Sequence, residues 1–139
     1  MLSGIDPLLT GELLLHLDAM GHSDAVVVTD AHFPADRLAQ RLVVLPGLDA
    51  PRVLQAVRSV LPLDDAPALD LMATADGGQL PVQHELMAAA GVDEAGTRFV
   101  DRYAYYDLAE QAFLVIRTGE TRPYGNALLR KGLVQDGPR

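Results

Sequence analysis

Two short apolar runs, AVVVT at residues 25–29 and LVVL at 42–45, show no alternation of polar and apolar side chains and are rich in β-branched residues. A strand with one wet face would alternate, so runs of this kind belong to strands covered on both sides. Leu69 to Ala73 and Phe113 to Ile116 read as two further short strands, and the segments around them keep helical spacing. Thr10 is placed to cap a helix with the stripe Leu13, Leu14, Leu17 and Met20, which Gly21 would end in the left-handed conformation. From Asp49, with Pro51 in the first turn, Val53, Leu54, Val57, Val60 and Leu61 hold the helical period up to Pro62. Pro81 opens a helix that turns Val82, Leu86, Ala89 and Ala90 inward and stops at Gly91, while Tyr105, Leu108, Ala109 and Ala112 mark another. A last short apolar segment runs from Ala127 to Leu129. Alternating strands and helices predict one α/β domain over residues 1–139, a three-layer α/β/α sandwich on a mainly parallel sheet with its site at strand ends.

Composition narrows the function classes. A chain of 139 residues that is 49% hydrophobic can bury a core without crosslinks or metals. Nineteen acids against eleven bases give a net charge of −8, which repels nucleic acid and anionic membranes and argues against both as partners. The absence of cysteine removes disulfides, thiolate zinc sites and thiol nucleophiles. With no basic-then-apolar leader and no apolar run near the ~20 residues a bilayer requires, a soluble cytoplasmic protein is expected.

Polar residues gather at a few places. GHSDAVVVTDAHFP, residues 21–34, puts His22 in a loop before the first strand and Asp30 and His32 after it. Asp30 and His32 fall on one side of an extended chain, a spacing open to a metal site, to a turn in which Asp30 caps backbone amides, or to a ligand contact. His16 and His84 have no special setting. Arg102 precedes Tyr103, Tyr105 and Tyr106; Tyr105 belongs to the core stripe, whereas Tyr103 and Tyr106 project from it and suit a subunit contact or a stacking surface for a sugar. In TGETRPYGNALLRKG, residues 118–132, Tyr124-Gly125-Asn126 combines a place where backbone can approach a ligand with an amide that both donates and accepts.

Together with the opening I-x-P-L-L-x-x-E-L-L of residues 5–14, the segments GHSDAVVVTDAHFP, DRYAYYDLAEQAF and TGETRPYGNALLRKG resemble the fucose mutarotase and ribose pyranase family from Leu2 to about Val134. The resemblance implies a three-layer α/β protein that interconverts sugar forms without a cofactor, and ring-shaped homo-decamers built from two pentamers. It implies His22 as the acid/base, with Asp30, Arg102, Tyr124, Gly125 and Asn126 contacting the monosaccharide and no metal. Arginine at position 102 is similar to the fucose branch, where the ribose branch has histidine. Residues 64–94 match poorly and contain none of the implied site residues, so they add nothing on the substrate. A non-catalytic sugar-binding or transport-associated module is the alternative from another class, and a metal-dependent hydrolase using Asp30 and His32 ranks below both.

One distance constrains these readings. At ~3.3 Å per residue, the eight steps from His22 to Asp30 along a straight strand would span about 26 Å, too far for one monosaccharide to touch both. Either the loop at 21–24 folds back along the strand, or the histidine serves a site whose aspartate belongs to a neighbouring subunit.

Overall fold

The computed structural model describes residues 1–135, so the last four residues of the expected domain lie outside the described part. Helices α1 (Gly11–Ala19), α2 (Ala35–Leu38), α3 (Ala50–Arg58), α4 (Pro81–Ala90) and α5 (Arg102–Gln111) alternate with strands β1 (Ala25–Thr29), β2 (Leu42–Leu45), β3 (Leu69–Met72), β4 (Thr97–Val100), β5 (Leu114–Thr118) and β6 (Ala127–Arg130). The strands form one sheet in the order β2-β5-β1-β6-β3-β4. The pairs β2-β5, β5-β1 and β3-β4 are parallel, and β6 runs antiparallel to both neighbours. The sheet is thus mainly parallel, with one reversed strand joining two parallel blocks.

Both faces of β1 are covered, as its non-alternating run requires, but β2 is an edge strand with Val44 exposed, so LVVL is not covered on both sides as expected. Val26 and Val28 point into a core with Leu13 and Leu17 of α1, Val53, Leu54 and Val57 of α3, and Val82 and Leu86 of α4. Val27 points the other way, into a core with Ala35 and Leu38 of α2 and Tyr105 and Ala109 of α5. This is the expected three-layer arrangement.

Several local expectations are corrected. The first helix ends without help from Gly21: Met20 turns out in extended conformation with its N–H on the His16 carbonyl, and Ser23, with φ of 72°, takes the left-handed position. The third helix stops at Arg58 rather than continuing to Leu61, leaving Val60 exposed beyond its end. Strand β4 and helix α2 are additional elements. β4 is an edge strand with the partly exposed sequence TRFV, so neither an apolar run nor a clean alternation marks it.

Two helices start at side-chain caps. The Thr10 hydroxyl accepts the Leu13 N–H, and the Asp101 carboxylate accepts the N–H groups of Tyr103 and Ala104, which starts α5 directly after β4. Because β6 is antiparallel, its first residues lie at the same edge of the sheet as the carboxyl ends of β1, β3 and β4.

Candidate functional site

At that edge a cavity of about 260 Å³ opens between Asp30, His32, Phe33, Met72, Arg102, Tyr106, Pro123, Tyr124 and Asn126. Four segments build it: the residues following β1, the last residue of β3, the first two turns of α5 and the loop between β5 and β6. Carboxyl ends of parallel strands are where open α/β sheets place ligands.

Asp30 is its most constrained group, being only 4% exposed. Its backbone N–H donates to Asn126 Oδ1 at 2.9 Å, and Asn126 Nδ2 donates back to Asp30 Oδ2 at 3.3 Å. That exchange fixes the Asn126 amide, since the oxygen must face a backbone donor and the nitrogen a carboxylate. The other Asp30 oxygen accepts the His32 N–H at 3.0 Å. Burial pushes the Asp30 carboxyl above its ordinary value, against the pull of the backbone N–H groups of His32, Phe33 and Gly125 and of the His32 ring. Asp30 is therefore a turn residue and a cavity wall at once.

Arg102 donates from Nε to the Tyr106 hydroxyl at 2.9 Å, and its guanidinium lies 5.7 Å and 5.5 Å from the ring centroids of Tyr103 and Tyr106. Phe33 meets the Tyr106 ring edge-on at 5.4 Å. The aromatics thus hold the cation beside the cavity, and among the described residues its remaining donors have no partner.

Tyr124 sits at φ of 63°, a conformation that costs a bulky residue roughly 1–2 kcal/mol and persists only where its surroundings enforce it. Gly125 beside it is packed too closely for any side chain: a Cβ there would stand 2.8 Å from Glu120 Cγ and 3.2 Å from the Arg122 carbonyl oxygen. Gly125 does not line the cavity with a side chain. Its backbone faces the Asp30 carboxylate instead.

The structure therefore brings together Asp30, Arg102, Tyr124, Gly125 and Asn126, and it adds His32, Phe33, Met72, Tyr106 and Pro123. Met72 brings residues 64–94, which hold none of the residues implied by the resemblance, into the cavity wall. Gln83 of α4 holds the Met72 carbonyl through Nε2 at 2.8 Å, fixing the end of β3 under the cavity. Tyr106 had a signal in the sequence, projecting from the core stripe; Met72 had none, because one methionine ending a buried strand reads as core.

His22 is not in this cavity. It stands at the opposite end of β1, with Nε2 3.2 Å from Asp64 Oδ1, and Asp64 Oδ2 accepts the Ser23 hydroxyl at 3.0 Å. The loop does not fold back toward Asp30. Ser23 N–H donates to the Lys131 carbonyl and Lys131 N–H to that of Asp24, pinning the loop to the far end of β6. Hydrogen bonds from the Asp65 N–H, Ser23 and His22 hold the Asp64 carboxyl below its ordinary value, and the carboxylate in turn orients the His22 ring.

Among the described residues no group of three or more His, Asp or Glu side chains is arranged to hold a metal ion, and no helix is long and apolar enough to cross a membrane. A small, water-accessible cavity with one buried carboxylate, one cation, one oriented amide and an apolar wall defines a site for a compact, hydroxyl-rich molecule.

Comparison with known proteins agrees with that class. The chain belongs to the RbsD / FucU transport protein family, whose sequence profile matches residues 3–134. Solved structures that resemble it include protein Atu2016, a candidate sugar-binding protein, at 38% identity and a TM-score of 0.89 over 97% of each chain. FucU from Bifidobacterium longum matches at 32% identity and a TM-score of 0.87, covering 96% of this chain and 100% of the other. The fucose mutarotase from Streptococcus pneumoniae, solved in complex with L-fucose, matches at 28% identity and a TM-score of 0.87 with the same coverage.

Proposed function

We propose that the protein is a sugar isomerase of the L-fucose mutarotase type, interconverting the α and β anomers by cofactor-free acid/base ring opening and closure. The observation that carries this reading is the cavity itself, whose polar groups complement neighbouring hydroxyls and whose Phe33 and Met72 offer an apolar wall. Asp30 accepts hydrogen bonds from two sugar hydroxyls, Arg102 donates to others, and the Asn126 amide and the Tyr124-Gly125 segment set the sugar's orientation. No side chain there is a nucleophile activated by an adjacent base, which suits chemistry in which only protons move.

Anomer exchange protonates the ring oxygen and removes the proton of the anomeric hydroxyl. The bond from the anomeric carbon to the ring oxygen breaks, the open aldehyde rotates, and closure on the other face reverses both transfers. Histidine suits this work because its ordinary pKa of about 6.5 lets it give and take a proton near neutrality, and a positioned acid/base contributes roughly 10²- to 10⁴-fold. We assign the role to His22, oriented by Asp64 and delivered to the cavity of a neighbouring copy in a homo-oligomer, with a ring-shaped decamer as the expected assembly. A cytoplasmic place of action goes with this reading.

Saturation-transfer NMR between the anomer signals of L-fucose tests it. The wild type should exchange anomers faster than buffer, and His22→Ala should abolish exchange while still binding the sugar. No acceleration with fucose, ribose or related sugars overturns the isomerase. Sugar binding without exchange in the wild type favours instead a binding module, the reading that the likeness to Atu2016 supports.

A further inference from the structure

The loop between β5 and β6 carries Tyr124, Gly125 and Asn126 to the cavity, and it is anchored by an ionic arrangement outside the cavity lining. Glu120, 4% exposed, receives three bonds from Arg122: the backbone N–H at 3.1 Å, Nε at 3.1 Å and Nη2 at 2.9 Å. The far edge of the same guanidinium grips both carboxylate oxygens of Glu85, on α4. One arginine thus bridges a buried acid in the loop and a half-exposed acid on a helix belonging to the other layer of the sandwich.

Glu120 also touches the site directly through its chain. Its carbonyl accepts the Ala31 N–H at 2.8 Å, next to Asp30, and its Cγ forms the wall against Gly125. The Glu120 side chain thus packs against the segment whose backbone faces Asp30. A fork of parallel N–H···O bonds fixes direction as well as distance, which a point charge does not.

We propose that Glu85, Arg122 and Glu120 form a positioning clamp that holds the Tyr124–Asn126 segment in its sugar-accepting shape from the helix layer opposite α5. The proposal rests on the sugar-binding reading above and adds to it three positioning residues, none of which touches the sugar.

The test compares wild type, Glu85→Gln, Arg122→Leu and the double variant by amide hydrogen exchange at Tyr124, Gly125 and Asn126 and by anomer-exchange kinetics with L-fucose. Each single variant should speed exchange of those amides and raise KM by roughly tenfold while the saturated rate holds, since small misplacements of binding groups carry costs of that order. Glu85→Gln should add nothing once Arg122 is leucine. Unchanged amide exchange overturns the clamp; loosened amides with unchanged KM overturn its positioning role. If the wild type neither binds nor exchanges L-fucose, it is the function above that fails, and amide exchange alone then decides whether the clamp holds the segment.

Discussion

Asp30 is held in place by donors yet carries a raised carboxyl because burial outweighs them. A folded-state value above the unfolded one makes the group a stabiliser at low pH, and that contribution is lost as pH rises through the folded value. Asp30→Asn should therefore melt higher than wild type at pH 8, with the difference closing as pH falls toward 4, while sugar binding is lost; thermal scans across that range check it. Glu120 behaves in the opposite sense. Arg122 holds its carboxyl below the ordinary 4.5, so its contribution is present above that value and fades on acidification. Tyr105 supplies a third case: the ring is fully buried and its hydroxyl has no hydrogen-bond partner among the described residues. Tyr105→Phe removes an unsatisfied polar atom and should raise stability by about 1 kcal/mol in urea unfolding.

Among the elements, β3 shows what a strand can carry unseen. Asp70 is fully buried within it and binds Arg98 of β4 through two bonds at 3.0 Å and 2.7 Å and Arg130 of β6 through one at 2.7 Å, so one carboxylate crosslinks three strands. Removing it leaves two guanidinium groups without their partner, and Asp70→Ala should cost about 3 kcal/mol or more in denaturant unfolding. The sequence marked β3 by its apolar neighbours and gave no sign of this triad, because pairing across strands is a matter of register and not of local spacing. β4 is illegible because its partly exposed edge sequence TRFV has no apolar run or clean alternation, while the apolar runs of β1 and β2 stand out. Helix starts are legible where an oxygen caps them, at Thr10 and Asp49. The end of α1 is not, since the chain leaves it by an extended residue that has no compositional mark. Gly125 belongs here too: Gly125→Ala would force Glu120 aside, and L-fucose affinity should fall by at least roughly tenfold in an NMR titration.

Across the whole molecule, alternation of covered strands and helices was enough to anticipate three layers and a site at strand ends. The cavity needed more than spacing. Asp30, Arg102 and Asn126 lie far apart in the chain and converge only because β6 runs backward between two parallel blocks. On the reading of a site shared between copies, mixing His22→Ala and Asp30→Ala proteins after dissociation and reassembly should restore part of the anomer exchange that each lacks alone. Hybrids with no recovered activity would count against it.

β1 acts as a rigid spacer, with the imidazole before it and the carboxylate cradle beyond it. On the shared-site reading each molecule lends at one pole and borrows at the other, so a reciprocal two-fold pair or a closed head-to-tail ring satisfies every member. An unclosed arc would hold one working centre fewer than its subunits, and a lone subunit none, so dilution should switch turnover off before it unfolds anything.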